Sequence, residues 1–277
     1  MLSPARLKPS EERSIHEVLA TVAAHDDAAS GYRLLVLDVP RKALECRPGQ
    51  FFHILCPVDG QSQPFLRRPM SIYGYDRDAG RLSFLYKVTG VGTEALSRLQ
   101  PGDQLNVMGP LGNGFSIPGT ARHLVLVARG VGLATLAPLA QEAHRLGLSL
   151  TAICSARSPE HLMSIDHFRD LGAEVIPVTD AEGTSDPAHL RGILEALVEK
   201  GEADMIYTCG SNRLLKLCQQ VARAAGIPGE IALEQQMACG VGMCQCCVRP
   251  FRRNGEIVQE RVCREGPVFD IQEAMEW

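Results

Sequence analysis

Half of the cysteines in this 277-residue sequence lie in one segment near its C-terminus, between residues 239 and 263. Four of them follow the order C-x4-C-x2-C plus a more distant cysteine, namely Cys239, Cys244, Cys247 and Cys263. Plant-type [2Fe–2S] clusters are bound by four thiolates with this spacing. Gly240 and Gly242 lack a Cβ atom, so the backbone there is free to fold tightly over inorganic sulfur and to present N–H donors to it. The segment therefore predicts a [2Fe–2S] cluster bound by these four cysteines.

Two other interpretations of the cysteine segment stay open. Structural zinc sites usually contain paired C-x2-C knuckles, whereas this segment has a single C-x2-C. Uncoordinated thiols are the second alternative. Cys246 adjoins Cys247 in the sequence, and the spacing favours Cys247 as a ligand and leaves Cys246 outside the ligand set.

The rest of the composition is typical of a globular protein with reduced cysteines. Hydrophobic residues make up 45% of the sequence, charged residues 22%, and the formal net charge is −4, so we expect no general attraction to nucleic acid or to anionic membranes. Reduced thiols together with a thiolate-bound cluster indicate the cytoplasm. We expect no secretory leader, because the first residues lack an apolar core. We also expect no membrane span, because Arg129 and two glycines interrupt the longest apolar run, at 124–140.

Turn signals and apolar patterns divide the chain into a flexible tail at 1–14 and three folded parts. Residues 15–119 contain short strands and one helix, at Gly92–Leu99, and predict a small antiparallel β-barrel. Residues 120–232 alternate apolar strands with helices, which predicts an α/β domain with a parallel sheet. Residues 233–277 form the cysteine-rich part, predicted as a small β-hairpin domain. Among the individual elements, we predict strands at Ala20–Ala24 and Met70–Tyr75 and a helix at Glu160–Asp170.

Two motifs in the barrel part contain the groups that bind a dinucleotide pyrophosphate. Arg68-Pro-Met-Ser71 ends one strand, and Leu85-Tyr-Lys87 ends another shortly before Gly92-Thr93 opens a helix. A pyrophosphate needs a cation, hydroxyl groups and backbone N–H groups. The motifs supply these groups at Arg68, Ser71, Lys87, Gly92 and Thr93. Because Tyr86 is also suited to pack against a flavin or adenine ring, the motifs together predict a flavin nucleotide site.

Loops at the carboxyl ends of two predicted parallel strands form a second candidate site. Gly130 and Gly132 follow the first strand and allow a cofactor to approach the N-terminus of the next helix. Cys209 and Gly210 follow the fourth strand, at the edge where ligands of open α/β sheets bind. These residues predict a nicotinamide dinucleotide site, with a tight turn that binds nothing as the alternative. Arg157, after another strand, either faces the adenosine or is a plain surface arginine.

No catalytic triad and no pair of carboxylates is evident in the sequence, and the eight histidines form no ligand motif. We therefore assign no catalytic residue. Bound redox cofactors are expected to carry the chemistry, with the protein positioning them.

In their order along the chain, the barrel, sheet and cysteine motifs resemble the ferredoxin–NADP reductase superfamily, and within it the electron-transfer subunits of class 1B dihydroorotate dehydrogenases. The resemblance is most specific at Arg68–Ser71, Leu85–Lys87, Gly109–Phe115, Glu234–Cys244 and Cys263. It implies FAD bound by Arg68, Pro69, Met70, Ser71, Leu85, Tyr86, Lys87, Gly92 and Thr93. It also implies a [2Fe–2S] cluster on Cys239, Cys244, Cys247 and Cys263.

The resemblance further implies a partner and an electron path. In such complexes a separate FMN-containing subunit, expected here within a heterotetramer, oxidises dihydroorotate for pyrimidine biosynthesis. Electrons then pass singly through the cluster to FAD, which reduces NAD+. Two alternatives stay open, namely the equivalent subunit of a hydrogenase, sulfide dehydrogenase or transhydrogenase-type complex and, more remotely, a zinc-stapled binding module. The choice between NAD and NADP is also open, because Ala128-Arg-Gly-Val-Gly132 replaces the family's usual Gly-Gly-Gly-Ile-Gly.

Overall fold

The computed structural model describes residues 14–58 and 64–276. The flexible tail predicted for residues 1–14 lies outside the described residues except at Ser14. Within the two described ranges, no helix has the length and apolar character needed to span a bilayer.

The N-terminal part is a seven-stranded antiparallel, barrel-like sheet with the spatial order β4-β3-β7-β1-β2-β6-β5. Its strands are β1 (His16–Ala29), β2 (Tyr32–Asp38), β3 (Phe51–Ile54), β4 (Arg68–Ser71), β5 (Gly74–Asp76), β6 (Arg81–Lys87) and β7 (Gln104–Leu111). A short helix, α1 (Val91–Ser97), follows β6. The inner faces of the strands pack into a core in which the rings of Phe52 and Phe84 meet edge to face, with centroids 5.9 Å apart.

Two strand predictions in this part differ from the structure. Strand β1 continues well beyond Ala20–Ala24 into a polar segment, because that segment still pairs with β2. The ring of His25 in this segment is buried and bonded to the carbonyl of Leu99 (3.0 Å) and the hydroxyl of Tyr86 (2.9 Å). The strand predicted at Met70–Tyr75 is divided into β4 and β5, which lie at opposite edges of the sheet.

The second part is a parallel sheet covered by helices on both faces, with the strand order β10-β9-β8-β11-β12. Its elements are β8 (His123–Arg129), α2 (Gly132–Arg145), β9 (Ser149–Ala156), α3 (Ile165–Asp170), β10 (Glu174–Thr179), α4 (Pro187–Glu199), β11 (Met205–Cys209), α5 (Asn212–Ala225) and β12 (Gly229–Ala232). Val125 and Val127 of β8 lie in the core formed with α4 and α5, whereas Leu124 and Leu126 lie in the core formed with α2 and α3. Burial on both faces explains the uninterrupted apolar run of this strand.

Two elements of the second part differ from what the sequence predicted: one helix is shorter, and one strand was not predicted. The helix predicted at Glu160–Asp170 begins only at Ile165, because Ser164 has a φ of 61°, in a left-handed region through which a right-handed helix does not continue. Strand β12 is four residues long and has no turn-bounded apolar run of its own.

The C-terminal part is a hairpin followed by a strand that returns to the parallel sheet. Strands β13 (Val248–Arg253) and β14 (Glu256–Arg261) are joined at Asn254-Gly255, whose φ values of 52° and 85° suit a tight hairpin turn. Strand β15 (Val268–Asp270) then pairs antiparallel with β12 and becomes the sixth strand of the sheet. The predicted succession of barrel, α/β sheet and hairpin is confirmed, whereas the domain boundaries at 119/120 and 232/233 stay predictions.

Candidate functional site

A cavity of about 930 Å³ lies where the barrel, the parallel sheet and the cysteine segment meet. Its volume is in the range of cavities that hold a nucleotide-sized ligand. Eight of the nine residues predicted to bind FAD line it, namely Arg68, Pro69, Met70, Ser71, Leu85, Tyr86, Lys87 and Thr93. The remaining lining residues include Thr135 of α2, Met237 and Cys246. The structure therefore brings the two barrel motifs together and places the cysteine segment beside them.

Gly92, the ninth predicted residue, lies behind the guanidinium group of Arg68. A Cβ atom at Gly92 would be 2.8 Å from Nε of Arg68, so a larger residue would displace that side chain. The hydroxyl of Thr93 accepts hydrogen bonds from the backbone N–H groups of Thr89 (2.9 Å) and Gly90 (3.1 Å). These contacts hold the loop between β6 and α1 against the Arg68 side of the cavity.

His25 fixes the position of Tyr86 in the cavity wall. Since the carbonyl of Leu99 only accepts, Nδ1 of His25 carries the proton, and Nε2 accepts the hydroxyl proton of Tyr86. Burial lowers the pKa of His25, so the ring stays neutral and keeps this role as acceptor. Sequence reasoning missed His25, because an isolated histidine in a strand carries no motif.

A hydrogen bond joins the barrel to the parallel-sheet part beside the cavity. The hydroxyl of Thr135, which is 3% exposed, donates to the hydroxyl of Ser71 over 2.9 Å. Burial raises the pKa of the neighbouring Cys209 thiol to about 12, with a smaller contribution from Glu234. Thr135 was not predicted as a site residue, since only the tertiary fold brings α2 against β4.

The four residues predicted to bind the nicotinamide dinucleotide lie together at the carboxyl ends of β8 and β11. A Cβ atom at Gly132 would be 2.6 Å from the carbonyl oxygen of Cys209, and one at Gly210 would be 3.0 Å from that of Arg129. Gly130 and Gly210 have φ values of 56° and 130°, which favour glycine. None of the four lines the cavity itself, whereas Val131 and Thr135 of the same turn and helix do.

Arg129 in this turn is held by an acidic partner. Its guanidinium group donates to both carboxylate oxygens of Asp180, over 2.5 and 3.1 Å, and to the hydroxyl of Ser155 over 3.1 Å. Hydrogen bonds from Arg129 and Ser185 lower the pKa of Asp180 to about 2. Arg157 is exposed nearby, and its carbonyl accepts the backbone N–H of Ala181.

The four cysteines predicted as ligands are linked in two pairs by backbone hydrogen bonds to sulfur. The N–H of Cys244 donates to Sγ of Cys239 over 3.5 Å, and the N–H of Cys263 donates to Sγ of Cys247 over 3.4 Å. Two pairs suit two iron atoms that each take two thiolates. In the described part of the chain, no three His, Cys, Asp or Glu side chains are grouped as a site for one metal ion.

Backbone N–H groups of the cysteine loop favour a thiolate at Cys239. The N–H of Met243 reaches Sγ of Cys239 at 3.3 Å. Although burial acts in the opposite direction, backbone N–H groups of Cys244 and Val241 bring the pKa of Cys239 down to about 6. Gly240 and Gly242 have φ values of 70° and 86°, as a tight loop of N–H donors requires. The residues present thus fit a [2Fe–2S] cluster.

Cys246 differs from the four paired cysteines. Its side chain is part of the cavity wall, and its sulfur lies 3.8 Å from the carbonyl oxygen of Gln236. This position is consistent with the prediction that Cys247, and not Cys246, is a ligand.

His53 of β3 is a further residue that sequence reasoning missed. It is fully buried and packs against the cysteine loop, where a Cβ atom at Gly240 would be 2.7 Å from its ring. Burial, together with the nearby charge of Arg67, lowers the pKa of His53 to about 4. The ring is therefore uncharged.

Comparison with known proteins agrees with this arrangement. A family profile described as "Iron-sulfur cluster binding domain of dihydroorotate dehydrogenase B" matches residues 234–274, and one described as "Oxidoreductase FAD-binding domain" matches residues 20–115. FAD and an iron–sulfur cluster are thereby confirmed as the cofactors of the chain, and the iron–sulfur interpretation prevails over zinc.

Relatives of known name cover most of the chain. A protein of Desulforamulus reducens named "Dihydroorotate dehydrogenase B (NAD(+)), electron transfer subunit" is 36% identical over 84% of this chain and 88% of its own length. A protein of Geobacillus sp. (strain WCH70) with the same name is 32% identical over 92% of this chain and 97% of its own length. Among solved structures, a chain of the NADH-dependent reduced ferredoxin-NADP oxidoreductase has a TM-score of 0.76 at 27% identity, covering 92% of this chain and 89% of that one. The resemblance inferred from the sequence is confirmed, and the chain belongs to the family of dihydroorotate dehydrogenase B electron-transfer subunits.

Proposed function

We propose that this chain is an oxidoreductase subunit that carries electrons from dihydroorotate oxidation, through a [2Fe–2S] cluster and FAD, to NAD+ in pyrimidine biosynthesis. The observation that carries the proposal is the shared cavity. Residues of both flavin motifs line it together with Met237 and Cys246 of the cysteine segment. A flavin bound there would lie next to the cluster loop, as direct electron transfer between the two groups requires.

The roles of individual residues are part of the proposal. FAD would be held by Arg68, Pro69, Met70, Ser71, Leu85, Tyr86, Lys87, Gly92 and Thr93. The cluster would be held by Cys239, Cys244, Cys247 and Cys263. The nicotinamide dinucleotide would lie over Gly130, Gly132, Cys209 and Gly210, and the names of the relatives support NAD rather than NADP.

The side chains of this protein position the cofactors and exclude water from them. The cofactors themselves carry the electrons. When bound, FAD exchanges two electrons with a nicotinamide and single electrons with an iron–sulfur cluster. The cationic side chains of Arg68 and Lys87 would balance the negative charge of a pyrophosphate. Tyr86, held by His25, keeps an aromatic side chain in the cavity wall. The bond between Thr135 and Ser71 keeps α2 close to β4, so that the nicotinamide and flavin sites adjoin.

The oxidation of dihydroorotate would take place on a partner. The relatives are named as electron-transfer subunits, which supports a separate catalytic subunit. We propose that this partner contains FMN, that the two proteins form a heterotetramer, and that the complex is cytoplasmic.

Purification of the native complex without oxygen tests the proposal. We expect a flavoprotein to co-purify with this chain and the complex to reduce NAD+ when dihydroorotate is added. The isolated chain should contain FAD and iron and should oxidise NADH with an artificial acceptor. A complex that contains both cofactors but does not react with dihydroorotate would contradict the assignment to pyrimidine biosynthesis.

One observation favours a second candidate. The solved oxidoreductase chain matches this one over nearly its full length, so the same two-cofactor subunit also suits a complex in which another protein supplies the electrons. Identification of the co-purified partner separates the two candidates.

A further inference from the structure

His53 lies between the proposed flavin site and the proposed cluster loop. In the barrel sheet it pairs with Pro69 of β4, which belongs to the first flavin motif. Its ring packs against Gly240, since a Cβ atom built there would be 2.7–2.9 Å from Cε1, Nδ1 and Nε2. The imidazole therefore contacts the cysteine loop from the barrel side, at the residue that follows Cys239.

The ring has no hydrogen-bond partner among the described residues. His53 is 0% exposed, and both Nδ1 and Nε2 are buried without an acceptor or donor. A neutral imidazole has one N–H donor, and burial of an unpaired donor costs free energy. By contrast, both ring nitrogens of His25, the other buried histidine of the barrel, are hydrogen-bonded. A hydrogen-bond acceptor that is present only in the cofactor-loaded protein would give the N–H group of His53 a partner.

The cysteine loop supplies the class of acceptor. The groups that a [2Fe–2S] cluster would bring next to Gly240 are thiolate and sulfide sulfurs, which accept hydrogen bonds. We propose that His53 donates its ring N–H to a sulfur of the bound cluster and thereby tunes its reduction potential. The inference rests on the proposed cluster and adds a donor from outside the cysteine segment.

The direction of the effect follows from charge. The reduced cluster carries one more negative charge than the oxidised cluster, so an N–H donor to sulfur stabilises the reduced form. Loss of the donor should therefore lower the reduction potential. Because β3 adjoins the strand of the flavin motif, the same contact also holds the cysteine loop next to that strand.

The test compares the anaerobically purified full-length protein with His53→Leu, His53→Asn and His53→Gln. The two amide variants place an N–H near the former Nδ1 or Nε2 position. In His53→Leu we expect unchanged iron content and an approximately tenfold less favourable cluster reduction, which is about 59 mV for one electron. One of the two amide variants should restore the wild-type potential. His167→Leu is the matched control, since Nε2 of His167 is also buried without a partner but lies on α3.

Spectroscopy of the reduced cluster gives a second readout. With ¹⁵N-imidazole-labelled histidine, pulsed electron paramagnetic resonance should show a nitrogen coupling in the wild type that is absent in His53→Leu and present in His167→Leu. A fully loaded His53→Leu protein with the wild-type potential and coupling would overturn the inference. If His53→Leu does not assemble, equal wild-type potentials in both amide variants would overturn it. A wild-type protein without iron would instead refute the proposed function.

Discussion

At the scale of single residues, position 240 is subject to two constraints that only glycine satisfies. Its φ of 70° is left-handed, and a Cβ atom would overlap the ring of His53. Gly240→Ala should lower the free energy of unfolding by about 1–3 kcal/mol and reduce the iron bound per chain. Gly255→Ala is the control, because Gly255 has a φ of 85° in open space. Thermal melts and iron assays should show a smaller loss of stability and full iron content in that control.

The two adjacent cysteines should respond differently to substitution. Sγ of Cys247 is buried and receives the N–H of Cys263, whereas Cys246 is exposed at the cavity. Cys247→Ser should lose the cluster, while Cys246→Ser should keep its iron and its electron paramagnetic resonance spectrum. The opposite result would exchange their roles.

Glu230 should make stability depend on pH. Its carboxylate accepts hydrogen bonds from the backbone N–H (2.9 Å) and the hydroxyl (2.5 Å) of Ser116. Burial, which outweighs these bonds and is reinforced by Asp270, raises the pKa of Glu230 from 4.5 to about 7. Between these pH values the folded protein binds the proton more tightly than the unfolded chain does. Rising pH therefore favours unfolding across this window.

Glu230→Gln tests this dependence, since an amide retains both contacts with Ser116 and does not titrate. From pH 4.5 to 7 the wild type should lose up to about 3 kcal/mol of unfolding free energy relative to the variant. Urea denaturation at a series of pH values measures the difference. Parallel pH profiles for the two proteins would contradict the assignment.

At the scale of elements, the ion pair of Arg129 and Asp180 joins the carboxyl ends of β8 and β10. Because the lowered pKa of Asp180 is about 2, the contribution of this pair is present above pH 3.8 and is lost as the pH falls through 2. Both side chains are partly exposed, so the pair should contribute no more than about 1 kcal/mol.

Arg129→Ala should therefore change the KM for NADH by less than about threefold, since the guanidinium group is already bound to a carboxylate and is not free for a cofactor phosphate. Steady-state NADH oxidation measures this. Arg169→Ala, which removes a surface ion pair on α3, is the control. A KM raised tenfold or more would place Arg129 at the cofactor.

At the scale of the whole molecule, the hydroxyl pair of Thr135 and Ser71 spans the boundary between the barrel and the α/β part beside the cavity. Thr135→Val removes the bond to Ser71 at nearly constant volume and should cost about 1 kcal/mol, which weakens FAD binding roughly fivefold. Thr135→Ser should retain the bond and the affinity. Retention of FAD on dialysis distinguishes them, and equal retention in all three proteins would show that the bond is unimportant.

The architecture followed from patterns in the sequence, but the contacts between its parts did not. Apolar strands alternating with helices predicted the parallel sheet, and the cysteine spacing predicted the iron–sulfur cluster. His25, His53 and Thr135 act across elements that are far apart in the chain. Such residues have no local periodicity, so only the fold identifies their roles. The pairing of β15 with β12 could not be predicted for the same reason, because the whole cysteine segment separates the two strands in the sequence.

The pairing of β15 with β12 restricts how the cysteine segment moves. Residues 233–267 leave the sheet from one strand and re-enter it in the strand alongside, and the N–H of Leu233 donates to the carbonyl of Pro267 at the base of this excursion. Because both of its ends are fixed to the sheet, the cysteine segment cannot rotate as a flexible domain between an electron donor and an electron acceptor. Electrons therefore enter a stationary relay, and it is the other protein that has to dock to it.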